Sequence, residues 1–173
     1  VKKLPQYSIP FRGLKDGLHH LTFQVDNNFF QHFEEAYLQQ GNIALQVELD
    51  KRPNLLVLDI DFSGTVKTIC DLCCEEGDLP IDGTERLLVK FTENPGDEDQ
   101  VIYLMPGETE LNLARHFYEF IALSVPIRKV PCADEDNEPT CDSNALDLIK
   151  NDTEKTEETI NPVWAELEKL KNK

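Results

Sequence analysis

Two runs of strict alternation constrain this chain more than any other feature. Ile43, Leu45, Val47 and Leu49 alternate with Ala44, Gln46, Glu48 and Asp50, and after Lys51-Arg52-Pro53-Asn54 the pattern resumes at Leu56, Leu58, Ile60 and Phe62. A period of two places all the apolar side chains of a run on one face of a strand. Two such runs of similar length, joined by a short turn containing Pro, predict an antiparallel hairpin with one buried face. The other elements must cover that face.

The flanking sequence supplies the cover. Residues 5–25 read as one or two strands broken at Gly13 and Gly17, with Leu18, Leu21, Phe23 and Val25 as the apolar positions. Asp26 or Asn27 can cap a helix carrying Phe29, Phe30, Phe33, Ala36 and Tyr37, which Gly41 would end. Gly64 reads as a bulge before Val66-Lys67-Thr68-Ile69. Leu87, Val89 and Phe91 form a further strand, and Val101-Ile102-Tyr103-Leu104 a short one. Thr109 is a candidate cap for a second helix with Ala114, Phe117, Tyr118, Ile121 and Val125 on one face, stopped by Pro126. The expected fold is α+β: an antiparallel sheet of about six strands, two packing helices and a tethered C-terminal helix. Residues 1–132 form the domain, 133–159 an acidic flexible tether, and 160–173 a short helix opened by Asn161-Pro162.

Charge narrows the function. The chain has 173 residues with 33 Asp+Glu against 17 Lys+Arg, a formal charge of −16. Residues 75–99 hold nine carboxylates and two cations, and residues 134–158 hold ten and two, so the remainder is almost neutral. Protein–nucleic acid affinity rests largely on neutralised phosphates, which argues against a broad grip on RNA or DNA and favours a basic protein partner. Asp97, Glu98, Asp99, Asp134, Glu135 and Asp136 are the candidate partner-binding carboxylates. The plainer reading is that both stretches are solvated loops. No run approaches the ~18 apolar residues of a membrane span, and Val1-Lys2-Lys3-Leu4-Pro5 leads into no apolar secretory segment. A cytoplasmic location is expected.

Of the five cysteines, Cys70 and Cys73 have the spacing that lets two thiolates converge on one ion, and Cys132 and Cys141 can complete a tetrahedral set. Such a zinc would be structural, because four thiolates leave no position for a reactive water. It would pin the acidic tail to the strand end near residue 70. Reduced thiols without a ligand, and a disulfide or redox pair, are the other readings. The redox reading wants a helix start after the pair, and Glu75 to Leu79 do not look like one. Asp59 and Asp61 share a strand face, which reads as solvated rather than catalytic. The chain has no glycine-rich phosphate loop, no Gly-x-Ser-x-Gly and no His-Glu-x-x-His, so no enzyme is expected.

Trp164, Leu167 and Leu170 line one face of the last predicted helix, which either packs back on the domain or enters a partner's groove. Lys169, Lys171 and Lys173 can touch RNA phosphates or complement the negative helix end. Lys2, Lys3, Arg12 and Lys15 are a second modest basic group.

The order of features resembles a known family. Cys70-Asp71-Leu72-Cys73-Cys74-Glu75-Glu76, the Glu110 to Leu113 helix opening, Ala122-Leu123-Ser124-Val125-Pro126, Pro131-Cys132 and Asn161-Pro162-Val163-Trp164-Ala165-Glu166-Leu167 are together similar to the YceD family of bacterial and plastid proteins, over about residues 40–173. The family usually has Arg before the second cysteine and Leu-Glu-Pro after it, where this chain has Leu72 and Cys74-Glu75-Glu76. The resemblance implies a non-enzymatic role in accumulation of large-subunit ribosomal RNA and in large-subunit assembly. Joined with the charge distribution, it implies contact with a basic ribosomal protein or assembly factor, ribosomal RNA being reached indirectly, and no small-molecule substrate or membrane. An acidic nucleic-acid mimic and a small thiol oxidoreductase are the competing classes.

Overall fold

The predicted hairpin forms the centre of the sheet. In the computed structural model, which describes residues 4–33, 37–92, 96, 101–132 and 141, β3 (Gly41–Arg52) and β4 (Leu55–Ile69) pair antiparallel from Arg52↔Leu55 to Gly41↔Val66. Pro53-Asn54 makes the turn. Burial follows the alternation: Ile43, Leu45, Val47 and Leu49 of β3 and Leu56, Leu58, Ile60 and Phe62 of β4 are all buried. Their polar neighbours form the opposite, open face.

Gly64 is not a bulge. It stays in register opposite Ile43, and it is needed because a Cβ there would lie 2.2 Å from the Asn42 carbonyl oxygen. Close approach of two backbones leaves no room for a side chain. The strand therefore runs unbroken to Ile69, at the first cysteine.

The acidic stretch after the cysteines is largely a strand rather than a loop. β5 (Glu76–Phe91) pairs antiparallel with the whole of β4, from Ile69↔Glu76 to Leu55↔Lys90. Leu79, Ile81, Leu87 and Val89 face the core, while Glu76, Asp78 and Asp82 occupy solvent positions between them. A solvent-facing carboxylate costs a half-buried strand little, so high charge there is compatible with β structure. At the break in the apolar pattern, Gly83 makes way for the Phe62 ring, which a Cβ would approach to 2.6 Å.

β2 (Gly17–Val25) pairs antiparallel with β3 and forms one edge of the sheet. β6 (Val101–Leu104) forms the other, and it runs parallel to β5, with Leu88↔Val101 through Phe91↔Leu104. The main sheet thus has five strands in the order β2-β3-β4-β5-β6 and is mixed, where an antiparallel sheet of about six strands was expected. A separate two-stranded ribbon joins β1 (Ser8–Ile9) to β7 (Leu111–Asn112).

Helices and aromatic groups cover the apolar face. The first helix is a single turn, α1 (Asn27–Phe30), capped by Asp26, whose carboxylate accepts from the N–H groups of Asn28 and Phe29 at 3.1 and 3.2 Å. Gly41 does not end it; Gly41 begins β3. Aromatic packing dominates here over helix propensity: Phe29 meets Tyr7 edge-on at 4.9 Å, and Phe33 stacks on Tyr118 at 4.5 Å. α2 (Ala114–Ser124) buries Ala114, Phe117 and Ile121 against the sheet. It starts without Thr109 as cap; Asn112 Oδ1 accepts from the Ala114 N–H instead, at 3.3 Å. Val125 is extended before Pro126, as a residue preceding proline prefers. Among the described residues no helix is long and apolar enough to cross a membrane. The predicted C-terminal helix and the tether lie outside the described residues, apart from Cys141.

Candidate metal centre

The β4–β5 hairpin is closed by the cysteine segment itself. The Cys70 N–H donates to the Glu75 carbonyl at 2.8 Å, and the Cys74 N–H returns to the Cys70 carbonyl at 3.0 Å. This tight turn obliges Cys74 to adopt φ +60°, the left-handed region that a side chain disfavours. The turn also directs the Leu72 N–H onto the Cys70 sulfur at 3.4 Å. Cys70 is buried, Cys73 half-buried, and Cys74 exposed and outside the cluster.

The segment following α2 is fastened to the turn by main-chain contacts. The Asp71 N–H donates to the Lys129 carbonyl at 2.9 Å, and the Lys129 N–H donates to the Asp71 carboxylate at 2.6 Å. Pro131 packs where Gly77 has no side chain; a Cβ on Gly77 would lie 2.9 Å from the proline ring. Seated in this way, the segment delivers Cys132, and Cys141 joins it.

All four sulfurs of Cys70, Cys73, Cys132 and Cys141 lie within 4.8 Å of one another. Cys70 is 3.3 Å from Cys132 and 3.7 Å from Cys141, Cys73 is 3.8 Å from Cys132, and Cys132 is 2.7 Å from Cys141. Metal–sulfur bonds of about 2.3 Å in a tetrahedron imply sulfur–sulfur separations of about 3.8 Å, close to three of these four distances. The fourth must widen by about 1 Å for that geometry. The donor set is all soft sulfur, which selects zinc or iron–sulfur chemistry over hard cations. These are the four cysteines singled out in the sequence.

Their protonation is unequal. Burial pushes the Cys70 thiol up, but the N–H groups of Cys73 and Leu72 and the thiols of Cys132 and Cys73 outweigh it and bring it down to about 7. Cys132 is pushed up, first because it donates to Cys141 and then by burial. For Cys141 the Cys132 thiol works downward, but burial and the neighbouring sulfurs together leave it raised. The protein alone thus favours the thiolate at Cys70 over those at Cys132 and Cys141. A divalent cation there would supply the charge that lets several thiolates share the site.

The other expected site residues divide simply. Asp59 makes a two-point ion pair with Arg86 (Nε–Oδ1 2.5 Å, Nη2–Oδ2 3.0 Å), and Asp61 accepts from the Thr84 hydroxyl at 2.7 Å, so this pair is a solvated sheet face as expected. Asp97, Glu98, Asp99, Asp134, Glu135, Asp136, Trp164, Leu167, Leu170, Lys169, Lys171 and Lys173 lie outside the described residues. Not foreseen were the Asp71–Lys129 clasp and the Gly77–Pro131 seat. The sequence signal for the seat was a glycine two residues into a strand.

The profile of the family described as "Large ribosomal RNA subunit accumulation protein YceD" matches residues 58–171, about two thirds of the chain. The chain belongs to the YceD family. The match begins within β4 and includes the four clustered cysteines, so the thiol corner lies wholly inside the YceD region. No curated protein and no solved structure matches the chain.

Proposed function

We propose that this YceD-family chain serves large-subunit ribosomal RNA accumulation as a non-enzymatic binding factor in large-subunit assembly. The observation that carries the reading is the family match over residues 58–171, whose description names that RNA. A charge of −16 supports a basic ribosomal protein or assembly factor as first contact, with ribosomal RNA reached indirectly. The acidic residues of 97–99 and 134–136 are retained as partner contacts, Trp164, Leu167 and Leu170 as an apolar anchor, and Lys169, Lys171 and Lys173 as local RNA contacts. The cytoplasm is the proposed compartment.

Cys70, Cys73, Cys132 and Cys141 would hold a structural zinc that clips the β4–β5 turn to the chain beyond α2. A thiol oxidoreductase is less well supported: the turn N–H groups lower the Cys70 pKa, but the turn leads into strand β5 rather than a helix start, and the convergence of four sulfurs suits an ion better than a redox pair. The acidic-mimic reading gains from the rigid placement of Asp78 and Asp82 on β5. It shares the basic partner and differs in predicting that RNA competes for it.

The decisive experiment is affinity purification of the full chain from its native cytoplasm, with co-purifying proteins and RNA identified. Large-subunit ribosomal proteins retained after nuclease treatment are the expected result. RNA-dependent recovery, or none, overturns it. For the metal, elemental analysis of reduced protein should find one zinc per chain, and its absence removes the site.

A further inference from the structure

The face of the sheet opposite the core is covered by no described element. Ala44, Gln46 and Glu48 of β3, Asp61 and Ser63 of β4, and Asp82, Thr84 and Arg86 of β5 are all exposed there. Its carboxylates are of two kinds. Asp50, Asp59 and Glu76 each have a cation, in Arg52, Arg86 and Lys67 respectively, and Glu48 lies 3.6 Å from the His20 ring. Asp61, Asp78 and Asp82 have no ion pair among the described residues.

Register sets Asp61 and Asp82 beside small side chains and places Asp78 opposite Lys67, whose ammonium is paired with Glu76. Ala44, Ser63 and Asp82 form one cross-strand row, and Gln46, Asp61 and Thr84 the next. The small side chains of Ala44 and Ser63 leave a shallow depression of about 270 Å³ between Asp61 and Asp82. A second depression, of about 430 Å³, runs from Asp26 over Asn42, Thr65 and Lys67 to Asp78. Asp78 and Asp82 lie four residues apart on one strand, about 13–14 Å. An extended peptide laid along β5 has the same rise per residue, so basic side chains at its positions i and i+4 meet both carboxylates.

We infer that this open face, over β3, β4 and β5, is the docking surface for an extended Lys/Arg-rich segment of a partner protein, with one basic side chain held between Asp61 and Asp82 and a second at Asp78. The inference rests on the basic-partner reading above and moves the principal contact from residues 97–99 and 134–136 to the sheet, where Asp78 and Asp82 belong to the first acidic stretch. Asp61 and Asp82 carry charge that no cation of the described residues pairs, Asp78 lies opposite a Lys67 that Glu76 already holds, and the small side chains of Ala44 and Ser63 admit a long cationic one. Such complementarity acts mainly on specificity and association rate, and it weakens with salt.

The test uses the full chain and a fluorescent ten-residue peptide of alternating arginine and threonine, followed by anisotropy at 0.1 M salt. Asp61→Asn/Asp82→Asn should weaken binding at least tenfold. Glu108→Gln/Glu110→Gln, which removes the same charge from exposed positions elsewhere, should weaken it less than twofold. Equal losses in the two variants, or no loss in the first, would overturn the inference, because the peptide would then be sensing net charge. A ten-nucleotide single-stranded RNA that binds the wild type and is lost with the first variant would also overturn it. Unfolding curves confirm that each variant is folded, and Asp78→Asn/Asp82→Asn gives the same readout should the first pair not be. If ribosomal proteins co-purify equally with wild type and the Asp61/Asp82 variant, the surface is wrong and the proposed function stands. If none co-purifies with wild type while the peptide result holds, the reverse is true.

Discussion

The sheet body and the thiol corner are held by different means. In the body, neighbouring strands repeat one pattern, and each buried side chain, from Ile43 to Val89, rests on several others, so the loss of one is spread over a shared core. The corner has little apolar burial of its own. It depends on four sulfurs, the Asp71–Lys129 clasp and one proline seated over Gly77. The body is a consequence of periodicity and the corner of particular atoms, so perturbations of the two should separate in experiment.

The largest effect belongs to the body. Phe117 is fully buried, with Tyr7 edge-on at 6.1 Å and Phe23 at 5.3 Å. Phe117→Ala should cost about 3–5 kcal/mol in chemical denaturation, and the cost should be the same with and without zinc. A zinc-dependent cost would show that body and corner are one cooperative unit. Metal removal comes next. With free zinc a hundredfold above its dissociation constant, chelation should lower wild-type stability by about 3 kcal/mol and leave Cys73→Ser/Cys132→Ser unchanged. If the double variant responds to chelator as the wild type does, the thiols are not the site.

A gain should come from Cys74, which holds φ +60° at a typical cost of about 1–2 kcal/mol for a residue with a side chain. Cys74→Gly should recover about 1 kcal/mol with zinc content unchanged, since Cys74 lies outside the cluster. Loss of zinc in that variant would instead assign its thiol a role in the centre. The smallest effect is expected at the Asp59–Arg86 pair, two-thirds exposed at the arginine. Asp59→Ala should barely move the melting temperature, because exposed ion pairs add little; a clear drop would show that the open face contributes to body stability.

What was legible in the sequence follows the same division. Alternation identified β3 and β4, the face they bury and the turn between them, because burial on one side imposes a period of two. It fell short on β5, where nine carboxylates over residues 75–99 suggested a loop although several occupy the solvent half of a strand. Gly64 misled for a related reason: its role is to admit the Asn42 carbonyl, a contact with a residue 22 positions away. The parallel direction of β6 was equally hidden, since a four-residue apolar run carries no information about orientation. The four clustered cysteines were found by type and spacing. Residues that only position them, such as Gly77 and Lys129, carry no chemistry to mark them in advance.

The family match begins at Leu58, inside β4, whereas the physical sheet extends two strands further toward the N-terminus. β3 lies against twelve consecutive residues of β4, from Leu55 to Val66. A chain trimmed to the matched region would expose the hydrogen-bonding groups of nearly all of that edge, beside Leu58, Ile60 and Phe62. Such an edge recruits strands from other molecules. In the full chain β3 covers that edge, so a preparation cut at the family boundary should aggregate where the full chain does not.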